Sequence, residues 1–232
     1  MSMNDLFTAG AKPKLITVIP SGVGTFVPLE NNSRCLIKRQ GAGGGGGGGV
    51  AGGSPGGTGA SAGAYVETVE RIPIAGVTYA VGAKGIGGTS GNGTDGGATR
   101  FGNVTAPGGK AGIGNNSGSI VGVDAAPLIS GNVATGNFGL ISGISGGASG
   151  TGSGSKGYAP GFSSSNGSGN GQSTATGNTT GGGDSVRGKG GNGATTTQNA
   201  TGAGAGGGGC NTPGTKAGDG SDGDIEVWDF GA

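Results

Sequence analysis

The chain contains no histidine and only two cysteines, Cys35 and Cys210. The first absence excludes a histidine-based catalytic triad and histidine-ligated metal centres. Two cysteines are too few for a disulfide scaffold and fit thiols kept reduced, so both are expected to be free. Charged residues make up 11% of the 232 positions and aromatics 4%, with a formal net charge of +1. Lysine and arginine form no basic run, which argues against nucleic acid as a partner. No apolar run approaches the roughly 18 residues that span a bilayer, and the opening MSMNDLFTAG lacks the charged-then-apolar order of a signal peptide. The expectation is a protein made in a cytoplasm, with no membrane insertion and no cofactor.

What is present in excess is glycine, 66 residues, about four times average usage. Ordering glycine costs roughly 0.5 to 1 kcal/mol more than ordering alanine, so a fold rich in it must exploit the bare backbone. Collagen does so by packing polyproline II chains around an axis that admits only glycine. Here the glycine runs have no strict period, which points to polyglycine II helices in a bundle or sandwich. Each turn of about three residues aims N–H and C=O outward at neighbouring helices, satisfying groups that could not be buried unpaired. The fold class expected is mainly β and irregular: a small β-sheet plus polyglycine II helices, with no significant α-helix, because the glycine spacing would break one.

Residues 1–23 read as an N-terminal arm or attachment segment and 24–232 as one glycine-rich domain. Apolar, β-branched text begins within the arm at Lys14–Ile19. In the domain, β segments are expected at 25–40, 64–82 and 224–230. Along 33–40, Cys35, Ile37 and Arg39 fall on one face and Leu36, Lys38 and Gln40 on the other. Pro73 to Gly76 reads as a hairpin turn. Glycine clusters lie at 85–97, 108–114, 143–154, 181–193 and 202–209. Two spacers are candidate loops: 119–145, rich in Ile, Val and Leu, and 155–180, almost pure Ser, Thr, Asn and Gly.

Chemical motifs are scarce. GxGxxG matches recur in the glycine runs, but none opens a helix in a βαβ unit. Residues 183–190 spell seven positions of a phosphate loop and then place Gly190 where Ser or Thr should hold magnesium. Residues 218–224 resemble a single copy of a calcium-binding nonapeptide, which binds through stacked copies; a polar turn entering the last strand is the simpler reading. Carboxylates such as Glu67, Glu70, Asp95, Asp124 and Asp184 are dispersed. The chain is therefore expected not to be an enzyme.

The order Gly24-Thr25-Phe26-Val27-Pro28, a strand running into poly-Gly, Ala64-Tyr65-Val66-Glu67, Gly76-Val77-Thr78-Tyr79-Ala80-Val81-Gly82, glycine clusters and a final Asp224-Ile225-Glu226-Val227-Trp228 resembles the glycine-rich domain of bacteriophage tail-fibre proteins. The second half is similar in texture to the polyglycine II tip adhesins of T-even-like phages. The resemblance implies a virion location and a glycine scaffold whose variable loops contact a bacterial surface receptor, a polysaccharide or an outer-membrane protein. It further implies attachment to a tail-fibre or baseplate protein. A homo-oligomer, with a trimer favoured, is compatible with it. Aromatics on such loops would supply contact area, which selects Phe138, Tyr158 and Phe162; Phe138 fits a core position equally well. The alternative is a structural fibre or tail subunit that never touches a host.

Overall fold

A computed structural model describes residues 14–30, 33–49, 56–114, 138–144 (backbone), 181–194 and 196–230. Among these there is no helix, and the strands are β1 (Lys14–Ile19), β2 (Val23–Phe26), β3 (Ser33–Gln40), β4 (Tyr65–Ile72), β5 (Val77–Ala80), β6 (Thr99–Phe101), β7 (Val104–Ala106), β8 (Phe138–Ile144), β9 (Arg187–Lys189), β10 (Thr201–Ala203) and β11 (Asp224–Asp229). A five-stranded sheet has the order β1-β11-β3-β4-β8, a four-stranded sheet the order β2-β5-β6-β7, and β9 and β10 form a ribbon. All the strand pairs are antiparallel.

The two larger sheets bury one core between them. Cys35, Ile37, Ile72, Phe101, Ile225 and Val227 are buried there, with Ile19, Phe26, Val77, Tyr79 and Val81 packed against them. The alternation read along 33–40 holds, with Cys35, Ile37 and Arg39 inward and buried. A fully buried arginine needs partners, and here the two Nη groups have them while Nε has none. Arg39 pairs with Glu70, donates to Thr68 Oγ1 at 2.7 Å and to the Phe101 carbonyl at 3.2 Å, and stacks on the Phe101 ring. Burial, followed by the charges of Asp229 and Glu70, pushes the Cys35 thiol up to about 12, so it stays protonated and unreactive. Cys35 lies in this sandwich, whereas Cys210 bonds to Gly47 within the bundle, and both are free and buried.

The strands continue into the glycine segments. β3 runs into 41–49, 56–64 into β4, β5 into 82–88, 91–97 into β6, β7 into 107–114 and 217–223 into β11. In the middle of this bundle, residues 41–49 bond outward with a period of three. The N–H groups of Gly41, Gly44 and Gly47 reach the carbonyls of Ala64, Ser61 and Thr58. Those of Ala42, Gly45 and Gly48 reach Gly97, Thr94 and Gly91, and those of Gly43 and Gly46 reach Ser221 and Gly218, all at 2.8–3.1 Å. The carbonyls of Ala42 and Gly45 accept from Gly109 and Gly112, those of Gly43 and Gly46 from Gly85 and Gly88, and those of Gly44 and Gly47 from Gly207 and Cys210. Three residues per turn with every bond leaving the helix is polyglycine II geometry. The central helix thus sits among six neighbours, three antiparallel to it that accept from it and three parallel to it that donate to it.

This arrangement leaves no room for a side chain. A Cβ added at Gly43, Gly44, Gly45, Gly46 or Gly47 would meet backbone of Ala205, Lys110, Ile86, Gly208 or Ile113 closer than 3.0 Å.

Several sequence expectations change here. Lys14–Ile19, assigned to an arm, is the edge strand of the five-stranded sheet, pairing with β11. The turn at Pro73–Gly76 is not a hairpin: β4 belongs to one sheet and β5 to the other, so the turn carries the chain across the sandwich. Gly76, at φ +83° with its N–H on the Pro73 carbonyl at 2.8 Å, closes that corner. Residues 218–223 are not a turn but a bundle segment.

Replacing Gly45 with alanine is expected to destabilise the protein by about 3 kcal/mol or more, since backbone on every side resists the overpacking. Gly91, whose added Cβ would meet nothing within 4 Å, is the control. There alanine should be neutral or stabilising by about 0.5 kcal/mol. Denaturant unfolding of both variants checks the contrast.

Candidate functional site: the loop pole of the glycine bundle

The bundle has two ends. At the sheet pole its segments merge with the strands. At the other end Gly47 bonds Thr58 and Cys210, Gly48 bonds Gly91, Thr58 bonds Ile113, and Ala194 bonds Gly209 and Asn211. The described bundle segments thus reach Gly49, Gly88, Gly114, Ala194 and Cys210 at one common level. The described residues of this loop pole stand on a hydrogen-bonded base.

Its described surface is small and polar. Thr89, Ser90, Asn92, Thr196, Pro213 and Gly214 are exposed, and Ile113 is exposed beside them. The return at 212–215 is a Thr-Pro-Gly-Thr turn closed by Thr215 N–H on the Thr212 carbonyl at 3.1 Å, with Gly214 at φ +72°. Proline presets the first corner and glycine supplies the left-handed one.

The rigidity of this base comes from a second hydrogen-bond pattern, which involves side chains. Thr58 donates its N–H to the Ile113 carbonyl and accepts the Ile113 N–H on Oγ1 at 2.7 Å. Ser61 treats Lys110 in the same way, as Thr94 does Ile86 and Ser221 does Ala205. Asn92 and Asp95 accept the amides of Gly114 and Ala111, while Asp219 and Asp222 accept those of Gly87 and Lys84. Each side-chain oxygen stands in for the backbone carbonyl of a neighbour that is absent at the rim. Along 107–114 the amides of 109 and 112 go to the central helix, those of 110 and 113 to Ser61 and Thr58, and those of 111 and 114 to Asp95 and Asn92. The next position inward on the Ser61 row pairs Ala64 with Pro107. Proline has no N–H, and the residue opposite it carries no acceptor.

Asp219 is the most heavily engaged carboxylate. It accepts from Gly87 N–H at 2.9 Å and lies 3.3 Å from Lys84 Nζ and 2.6 Å from Lys216 Nζ. Burial raises its pKa, but the hydrogen bonds from Lys216, Gly87 and Lys84 together outweigh that and hold it below the usual carboxylate value. Asp184 and Asp224 are shifted the other way, chiefly by burial.

The chain matches no protein-family model and no curated protein.

Of the residues selected from sequence, Tyr158 and Phe162 lie outside the described residues. Phe138 does not sit in a loop: its backbone begins β8 opposite Glu70, on the far edge of the five-stranded sheet. Among the described residues no group of three or more His, Cys, Asp or Glu is arranged to hold a metal ion. A cleft of about 440 Å³ does open at the junction of sheet and bundle, lined by Val18, Lys84, Asn199, Asp219, Asp222 and Asp224. Asp219 and Asp222 are engaged as above and Asp224 Oδ2 lies 2.6 Å from Arg187, while Asp224 Oδ1 is buried without a hydrogen-bond partner.

Replacing Thr58 with valine, which keeps the shape and removes the acceptor, should strand the Ile113 amide. The expected cost is about 1 to 3 kcal/mol, read from unfolding curves. The acid response isolates Asp219. Its folded pKa is depressed, so its contribution is present above the unfolded value of about 3.9 and is lost as pH falls through the folded value. The stability difference between the wild type and Asp219→Asn should therefore be largest near neutrality and shrink towards pH 3; a difference that stays constant over this range contradicts the assignment.

Proposed function

We propose that this chain is a receptor-binding tip protein of a bacteriophage tail fibre, in which the glycine bundle holds loops against a bacterial surface receptor. The observation that carries the reading is the loop pole. Segments end together at a lattice whose flanking amides at Gly48, Gly88, Gly114, Ala194 and Cys210 are bonded. A free loop pays an ordering cost on binding of roughly 0.5 to 1.5 kcal/mol per immobilised side chain, which a loop anchored at both ends partly avoids. The resemblance of the β segments and glycine clusters to tail-fibre glycine-rich domains supports the same reading. Under it the protein is part of the virion, made in the host cytoplasm, and acts by binding without catalysis. The sheet pole is left for contacts within the virion. The second reading, a structural fibre or tail subunit, shares the scaffold and differs only in what the loops touch.

The test is adsorption. The purified chain should bind host cells and compete with phage, and a variant with 155–180 replaced by a short Gly-Ser linker should lose at least tenfold in binding while its melting temperature stays within a few degrees. A wild-type chain that neither adsorbs nor competes overturns the adhesin reading and leaves the structural one.

A further inference from the structure

One face of the five-stranded sheet carries an apolar row in direct register, in which Leu15 is exposed, Leu36 and Trp228 are half-buried and Val69 is buried, with Lys38 Nζ 5.1 Å from the centre of the Trp228 ring. Leu15 on β1 pairs with Trp228 on β11, Trp228 with Leu36 on β3, and Leu36 with Val69 on β4. On the bundle side of this row the charges satisfy one another: Lys38 meets Glu67 at 3.6 Å, Glu226 accepts from Trp228 Nε1 at 2.8 Å, and Arg187 lies 3.1 Å from Glu226.

On the other side, towards the sheet pole, they do not. Arg34 and Arg71 are direct cross-strand partners, and like charges placed directly opposite are destabilising. Neither forms an ion pair among the described residues. Arg34 stacks on Phe230 at 5.4 Å, yet its Nη2 is buried with no hydrogen-bond partner. Two guanidinium groups beside an apolar row call for a carboxylate brought with apolar surface.

The chain displays such a group at the same pole. Glu30 is exposed and likewise without an ion pair, and it follows Leu29, which is 88% exposed. The Ser33 hydroxyl donates to the Glu30 carbonyl at 2.9 Å, tying this loop to the start of β3. Val27 and Ile74, 57% and 50% exposed, extend the apolar surface.

We infer that copies of this chain associate through the sheet pole, with Leu29 and Glu30 of one copy seated on the Leu15–Trp228–Leu36 row and the Arg34–Arg71 pair of another. The occupant is a second copy because one chain carries both halves of the contact, unpaired acid with apolar surface and unpaired guanidinium with apolar surface. The contact is independent of what the loop pole binds.

Sedimentation of the full chain over a concentration series tests it. The wild type should show a multiple of the chain mass that dissociates on dilution. Glu30→Arg and Arg71→Glu, both at exposed positions, should each weaken association at least tenfold with unchanged melting of the separate chains. The combined variant should recover most of the loss, because the reversed charges meet again. A single-chain mass at every concentration overturns the inference, as does association that Glu30→Arg leaves unchanged. Failure of the double reversal to restore association also counts against the Glu30–Arg71 contact.

Discussion

The structure depends on the hydrogen bond between backbones of different segments, made in three directions from each turn of the helix at 41–49. In a sheet each strand has two bonded neighbours; here one segment has six. Dense bonding of this kind requires backbones in contact on every side, and only glycine permits it, as the obstructed Cβ positions at Gly43 to Gly47 show. The glycine excess, which would otherwise favour disorder, is the condition for burying so many peptide groups while leaving them paired. Large apolar side chains are buried in the sandwich at one end, whereas the bundle buries small ones such as Thr58, Ser61, Ala205 and Cys210 and is held mainly by the main chain.

From that constraint follows the chemistry of the rim. A lattice of finite size leaves outward amides without partners, and Ser, Thr, Asn and Asp complete them with side-chain oxygens. Where the outer chain has Pro107, which offers no amide, the facing residue is Ala64. Polar residues in the segments are thus placed by the missing neighbour, and the lysines beside them, Lys84 and Lys110, pair with the capping carboxylates Asp219 and Asp95. The bundle also fixes direction. Strands and helices are the same chains in succession, so one pole is a sandwich and the other a set of anchored chain ends. The proposed division, attachment at one end and recognition at the other, rests on this polarity.

Much of the architecture is legible from the residues. Glycine excess without helix signals indicates bonded bare backbone, and period-two alternation locates β3, β4 and β11. Other features depend on partners that sequence does not display. Pro73–Gly76 has the composition of a hairpin turn, but whether such a turn joins neighbours or crosses between sheets depends on which strands pair. Lys14–Ile19 is apolar like a core strand, yet it lies at an edge with Leu15, Ile16 and Val18 exposed. Residues 218–223 have turn composition, and only their bonds to 43–46, 85 and 205 reveal a bundle segment. Phe138 stands in the spacer rich in Ile, Val and Leu and reads equally as a loop contact or a core residue, whereas β8 recruits its backbone to the sheet. The capping oxygens carry a three-residue period, as in Thr58 and Ser61 or Asp219 and Asp222, and this signal becomes readable once the lattice is known.

The central claim is that residues 41–49 are held by backbone bonds alone, and amide hydrogen exchange resolved by NMR addresses it most directly. The account predicts that the amides of residues 42–48 exchange as slowly as those of β3, by global unfolding, although their side chains contribute almost no apolar burial. Fast exchange across 42–48 while the amides of β3 remain protected would contradict it.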